Sequence, residues 1–231
     1  MKMPALVVRA ALCCAVIAGA HTAASAELVL SQVIVDFLPD KPLREDIEVW
    51  NSGSERMYVS AEPFEIVSAG TPQERRAAVE LADDGALLVS PRRLVLEPGE
   101  RRIIRVAATG ERPRSDAVYR LAIQPVAGAL SAETDALKVF VGYDALVLVR
   151  PQEIVDDLQA ERRGRVLALR NGGNTAQELF DGRQCDAGGE NCQALPSKRL
   201  YPGADWQQTL PYDTPATYRS AIGPTVRERE F

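Results

Sequence analysis

The chain reads as a series of short alternating or apolar runs separated by turn residues. LVLSQVIVDF runs into Pro39-Asp40, IEVWN into Ser52-Gly53, and MYVSAEPFEIV into Ser68-Ala69-Gly70. After a polar stretch come LLVSP, RRLVL, RRIIRVAA and VYRLAIQPV, with Glu97-Pro98-Gly99-Glu100 between the second and third of these. Strands at this spacing with Gly/Pro turns predict a β-sandwich, and regular helix signals are nearly absent. Pro98 presets the second position of a type II turn, and Gly99 accepts the positive φ of the third. Ala127 to Thr134 reads as a loop of small residues.

The next run, LKVFVGYDALVLVRP from Leu137 to Pro151, stands out. Its odd positions Leu137, Val139, Val141, Ala145, Val147 and Val149 are apolar, the period of two that marks one face of a strand. The run is far longer than the ordinary strand of about 5–6 residues. A strand so long and apolar is an aggregation hazard with an open edge, so it is either paired throughout or kept for a partner. After Arg150-Pro151 the pattern restarts with RVLALRN, Gly172-Gly173, QELFDG, a hairpin holding Cys185 and Cys192, WQQTLPY and TYRSAIG. The expectation is two β-domains, 27–150 and a smaller one over 151–231. No Gly/Ser linker separates them, so the angle between them should be fixed. No internal repeat is visible beyond the general all-β character, and Arg227 to Phe231 reads as a frayed, charged tail.

The N-terminus changes the chemistry available to the chain. Lys2 and Arg9, the apolar run Leu12–Ala20 and the small residues Ala24-Ser25-Ala26 read as a signal peptide over 1–26. The apolar run is too short for a membrane span, which takes about 20 residues, and no later stretch qualifies. Cys13 and Cys14 sit inside that run behind Leu12 and do not read as a lipid anchor. An exported chain of about 205 residues remains, room for two domains. Its formal charge moves from −5 to about −7 with the loss of Lys2 and Arg9, which argues against nucleic acid and anionic surfaces.

The only histidine, His21, leaves with the leader. Ser-His-Asp and Cys-His catalysis, histidine bases and histidine-ligated metals are thereby excluded from the mature chain. In an exported protein Cys185 and Cys192 read as a disulfide and make a poor zinc site. Asp83-Asp84 and Asp156-Asp157 fall in polar loops and read as solvated, not as a catalytic carboxylate pair. No GxxxxGK[ST] loop is present. No enzyme and no cofactor is expected. Trp50 and Trp206 read as core anchors, one per sandwich.

The turn LEPGE followed by RRIIRV, the string AVYRLAIQPV, the long strand ending VLVRP, and LALRNGGNTA, LPSKRLYPGADWQQTLP and TYRSAIG in the second half together resemble the PapD-like periplasmic chaperones of the chaperone–usher pilus pathway. The resemblance spans nearly all of the chain after the leader. It implies two immunoglobulin-like β-sandwich domains in a boomerang arrangement, with a cleft between them. It further implies that the last strand of the first domain lends alternating apolar side chains to a pilin-like subunit, which is then delivered to an outer-membrane usher. Alignment through the terminal Arg-Pro places Leu137, Val139 and Val141 at the donor positions. Same-face residues repeat about every 6.7 Å along a strand, so these three would form a row of knobs for a groove. Each is worth on the order of 1.5–3 kcal/mol when fully buried, before ordering costs. Val147 and Val149, near the junction, are expected to fill the chain's own core.

The chain departs from the family where the C-terminal carboxylate of the bound pilin is usually held. The matching positions carry Gln32 and Leu146, neither of them basic, so the charge-assisted anchor is missing. This departure resembles the divergent archaic, or sigma-class, branch. Arg120, on the strand before the long one, is the candidate replacement anchor. Arg92, Arg93 and Arg105 read as a solvated face, and Arg150 as a candidate bridge between domains. The reading is a non-enzymatic periplasmic chaperone. The competing reading is a two-domain surface or periplasmic β-sandwich that binds or adheres without chaperoning.

Overall fold

A computed structural model of the protein describes residues 28–79, 86–126 and 140–231. The expected leader over 1–26 with His21, Asp83-Asp84, the expected loop over 127–134, Leu137 and Val139 lie outside the described residues. Every element among the described residues is a strand. The first ten are β1 (Leu28–Leu30), β2 (Ile34–Phe37), β3 (Arg44–Asn51), β4 (Met57–Val67), β5 (Arg75–Ala78), β6 (Leu87–Ser90), β7 (Arg93–Leu96), β8 (Arg101–Ala108), β9 (Ala117–Val126) and β10 (Tyr143–Val149). They form two facing sheets, one in the order β1-β3-β8-β6, the other β2-β10-β9-β4-β5 with β7 also on β4. The LVLSQVIVDF run is thus divided between sheets, β1 pairing with β3 and β2 running parallel to β10.

Alternation fills the space between these sheets. Phe37, Ile47, Val49, Ile104, Val106, Leu121 and Ile123 are buried there with Ala145, Val147 and Val149. On β10 the even positions Leu146 and Leu148 are buried as well. They point the other way, into a smaller apolar cluster with Val118 and Ala176. A strand apolar on both faces is one covered on both faces. Of the long run from Leu137, the ladder among the described residues covers only Tyr143–Val149. Just before it, a Cβ on Gly142 would lie 2.8 Å from Gln124 Cβ, so the chain there runs against β9 as only glycine can.

The second group comprises β11 (Leu158–Arg163), β12 (Val166–Asn171), β13 (Gln177–Cys185), β14 (Cys192–Leu195), β15 (Lys198–Leu200), β16 (Asp205–Thr209), β17 (Ala216–Ile222) and β18 (Thr225–Glu230). Its sheets run β11-β12-β16 and β14-β13-β17-β18, with β15 on β13. Leu167, Leu169, Leu179, Leu200, Leu210 and Tyr218 form a separate core.

Three sequence expectations change here. Trp206 does pack on the second core, edge-to-face with Tyr218 at 6.3 Å. Trp50 does not enter the first core. Its neighbours Val49 and Asn51 point inward, so Trp50 faces outward, with the Arg101 guanidinium 4.6 Å over its ring. Residues 227–231 are not frayed. β18 pairs along β17, the Phe231 backbone exchanges two hydrogen bonds with Ala216, and its ring meets Tyr218 edge-on at 6.1 Å.

The third change is a repeated local device. In the first sandwich Asn51 Nδ2 donates to the Glu55 and Leu96 carbonyls, and Asn51 Oδ1 accepts from Gly53 N–H. In the second, Asn171 Nδ2 donates to the Thr175 and Leu200 carbonyls, and Oδ1 accepts from Gly173 N–H. Leu96 and Leu200 each begin a Leu-x-Pro-Gly turn whose glycine has positive φ, +75° at Gly99 and +79° at Gly203. Those glycines donate N–H to the carbonyls of Asn51 and Asn171, respectively. Asn51 and Asn171 are almost wholly buried, and their amides are satisfied by these backbone groups.

Cys185 and Cys192 are disulfide-bonded across the β13–β14 pair. Replacing both with serine is expected to lower stability by about 2–3 kcal/mol in the chain-entropy account. The urea midpoint of the double variant against the oxidised parent checks this, and an unchanged midpoint would make the bond dispensable.

Candidate partner-binding site

The face of the β2-β10-β9-β4-β5 sheet that carries Leu146 and Leu148 is the face turned to the second sandwich. Residues paired across neighbouring strands share a face, so the register defines a row of side chains across it. Ile34 of β2 lies beside Leu146 of β10, then Arg120 of β9, then Phe64 of β4. Leu146 is only 2 % exposed, packed in the apolar cluster with Val118, Leu148 and Ala176. Apolar packing thus takes up the Leu146 position, one of the two where the resemblance leads one to expect a basic residue. Gln32 precedes β2, and its amide donates a long hydrogen bond, 3.4 Å, to the Asp46 carbonyl. Neither position supplies a cation.

Arg120 lies directly opposite Leu146 on the neighbouring strand. Its side chain is about one-third exposed at the margin of the apolar cluster. Nη1 donates to the Asp144 carbonyl at 3.3 Å, and Nε lies 3.9 Å from the Asp144 carboxylate. Arg76 of β5 reaches the same carboxylate, Nη2 to Oδ1 at 2.9 Å, after crossing the Phe64 ring at 4.1 Å. Two guanidiniums from different strands therefore converge on one carboxylate on this face.

At the far end of the face Tyr58 pairs with Val126 on one side and Val95 on the other, and all three side chains are exposed. The apolar stripe of β10 ends near this open end. Tyr143 packs on the core as Ala145, Val147 and Val149 do, but Val141, next on the same parity, is 52 % exposed. Of the three sequence-derived donor residues, Val141 is the one within the described residues.

The junction between the sandwiches is built on Arg150. Its guanidinium is 4 % exposed and forks onto Asp36, Nε to Oδ1 at 2.7 Å and Nη2 to Oδ2 at 2.9 Å. Nη1 donates to the Thr175 hydroxyl and to the Ala176 carbonyl of the second sandwich. Asp116 completes the node: its Oδ2 accepts from Ala176 N–H at 2.6 Å and lies 3.9 Å from Arg150 Nη1. Burial pushes the Asp116 carboxyl above the usual carboxylate range, against the lowering effects of the Ala176 N–H and the Arg150 charge. Arg112 clamps the carbonyls of Phe37, Leu38, Lys41 and Arg150. Asn174 binds the Arg114 and Glu153 carbonyls, and its own carbonyl accepts from Asp116 N–H. The sequence reading found Arg150 but not Asp36, Asp116 or Arg112. An acidic residue alternating with apolar ones in IVDF is the one trace of this node in the sequence.

Other charged residues are accounted for locally. Arg105 forks onto Asp46 on the outer sheet, both bonds 2.8 Å. That contact holds the Asp46 carboxyl below its ordinary range. Asp156, expected to be solvated, is gathered in by Arg227, Arg229 and Gln177 at 2.7–3.0 Å. Among the described residues no group of three or more His, Cys, Asp or Glu could hold a metal ion, and no helix is long and apolar enough to cross a membrane.

The arrangement has close counterparts among solved structures. The class 5 fimbriae chaperone CfaA superposes with a TM-score of 0.64 at 21 % identity, covering 88 % of this chain and 98 % of that one. In fold, the chain is similar to the chaperone–usher pilus chaperones. A pre-assembly complex of the chaperone CsuC with the tip subunit CsuE, from the archaic Csu pili of Acinetobacter baumannii, matches this chaperone fold with a TM-score of 0.58 at 12 % identity, over 88 % of this chain and 97 % of that one. In sequence, a CFA/I fimbrial subunit from Escherichia coli is 26 % identical over 170 residues, 68 % of this chain and 70 % of that protein. No family model matches the chain. Of these two solved chaperones, the class 5 one has the higher identity and TM-score, and the likeness of fold extends to both the class 5 and the archaic systems.

Proposed function

We propose that the protein is a periplasmic chaperone that stabilises a pilin-like subunit by donor-strand complementation and hands it to an outer-membrane usher. Residues 1–26 serve as the export signal, 27–150 as the chaperone domain carrying the donor strand, and 151–231 as its smaller companion. The observation that carries the reading is the exposure of Val141 immediately past the packed stripe of β10. The stripe that fills this chain's core from Tyr143 to Val149 leaves its own core at that point. Leu137, Val139 and Val141 then provide the side chains that fill the subunit's groove, and an extended strand supplies the backbone hydrogen bonds. The chain needs no nucleotide, because release follows from replacement by the next subunit's strand. The solved complex of the similar chaperone CsuC with a tip subunit supports a partner of this kind.

Arg120 is the anchor for the subunit's terminal carboxylate, standing in for the basic pair replaced by Gln32 and Leu146. A charge-assisted bond of this type is worth about 1.5–3 kcal/mol, so Arg120→Ala is expected to weaken subunit binding about 10- to 100-fold. Competition between tagged parent and variant for a co-expressed exported subunit measures the ratio. Equal partition would return Arg120 to the role of a surface ion pair. The function itself is tested by co-expression with an exported pilin-like subunit, the subunit surviving in the periplasm only when the chaperone is present.

A further inference from the structure

We infer that Asp144 is a built-in occupant of the anchor, holding Arg76 and Arg120 in the free chaperone and yielding them to the subunit's terminal carboxylate. The inference rests on the reading of this face as the subunit-binding face and names a second anchor residue and a competitor within it. A carboxylate is already bound there, and it belongs to the chain itself. Asp144 Oδ1 accepts from Arg76 Nη2 at 2.9 Å, and Oδ2 lies 3.9 Å from Arg120 Nε. The two arginines come from strands on opposite sides of β4 and reach the same carboxylate.

Arg76 is fixed independently by stacking on Phe64, and Arg120 by its bond to the Asp144 carbonyl, a backbone atom that stays when the side chain turns away. Asp144 itself is about half exposed. Exposed pairs of this kind are weak and give way readily. Asp144 is also placed at the entrance to the donor segment, three residues after Val141, and Gly142 between them presses against β9. A strand laid along Val141 brings the partner's backbone to Asp144, so engagement of the donor row and release of the arginines are neighbouring events.

The occupant has a purpose in a chaperone. Two unneutralised arginines beside exposed apolar residues would attract free carboxylates as well as the subunit's terminus. An internal carboxylate of modest strength sets a threshold, passed by a terminal carboxylate delivered together with a long apolar strand and not by free anions.

The test uses acetate as the carboxylate probe and reads the arginine side-chain Nε–H resonances of Arg76 and Arg120 by NMR, with chloride at equal ionic strength as the control. Asp144→Asn is expected to tighten acetate binding about two- to fivefold, and Arg76→Ala in that background to abolish the gain. Unchanged acetate affinity in Asp144→Asn, or tightening that persists without Arg76, overturns the inference. The same variants are co-expressed with the exported subunit, Asp144→Asn being expected to retain at least as much of it as the parent. Failure of the parent chain to retain any subunit overturns the chaperone reading itself, and the acetate result is independent of that outcome.

Discussion

Arg150→Ala is expected to lower the unfolding free energy by about 3–5 kcal/mol, because one partner of a buried ion pair is removed and the other is left behind. The Asp36 carboxylate loses its fork, Asp116 loses its only nearby cation among the contacts described, and the Thr175 hydroxyl and Ala176 carbonyl lose their donor. The loss depends on pH in a definite direction. Burial raises the Asp116 pKa in the folded chain, so the folded form holds that proton more tightly than the unfolded form does. Above that pKa the buried charge is a cost, and the cost fades as the solution is acidified through it. Without Arg150 the charged form is less favoured still. Urea unfolding at pH 7 should therefore show a larger deficit than unfolding in mildly acidic buffer. Arg150→Lys, which keeps the charge but not the planar fork, should fall between. A deficit below about 1 kcal/mol for Arg150→Ala would mean that the node is worth no more than an exposed ion pair. Since the same guanidinium grips both sandwiches, its loss should also free their relative orientation and reduce subunit retention.

The second large effect concerns the donor row. Val139→Asp or Val141→Asp is expected to weaken subunit binding by at least about 100-fold. The change removes about 1.5–3 kcal/mol of apolar burial and places a carboxylate where it must either lose water or keep the groove open. The effect should be confined to the complex. Val141 is exposed and outside the core cluster, so Val141→Asp should leave the chain's own stability within about 0.5 kcal/mol of the parent. Val147→Asp is the contrast, because that side chain is wholly buried and its replacement should unfold the first sandwich. A Val141→Asp chain that melts normally and still binds would remove Val141 from the donor row.

How far the sequence foretells these features follows from the range of the forces involved. Period-two alternation is local, so the all-β character, the inward positions of β10 and the Glu97–Glu100 turn are readable residue by residue. The turn closes with Glu100 N–H donating to the Glu97 carbonyl at 2.9 Å. Trp50 is misplaced when size and hydrophobicity are weighed above parity. The alternation of Val49 and Asn51 decides its direction, and Arg101 gives the ring a partner outside. The last strand escapes a sequence reading because TVRERE carries almost no apolar signal. It is held by the ladder to β17, by Phe231 on Tyr218, and by Asp156 more than 70 positions earlier. The duplicated asparagine device leaves only the sparse traces Asn-x-Gly and Leu-x-Pro-Gly, too short to count as a repeat until the hydrogen bonds are seen. The Arg150 node and the Arg76–Asp144–Arg120 cluster are pairings across 114 and 68 positions, and no local pattern encodes them.

The most direct measurement is co-purification from periplasm of the tagged chain with a co-expressed exported pilin-like subunit, combined with hydrogen exchange of the chain free and in complex. The expected result is a stoichiometric complex in which amides around Leu137, Val139 and Val141 become protected, and its loss in Val139→Asp. Parental levels of subunit recovered with Val139→Asp, or a complex in which that segment exchanges as freely as in the isolated chain, would contradict donor-strand complementation by this segment.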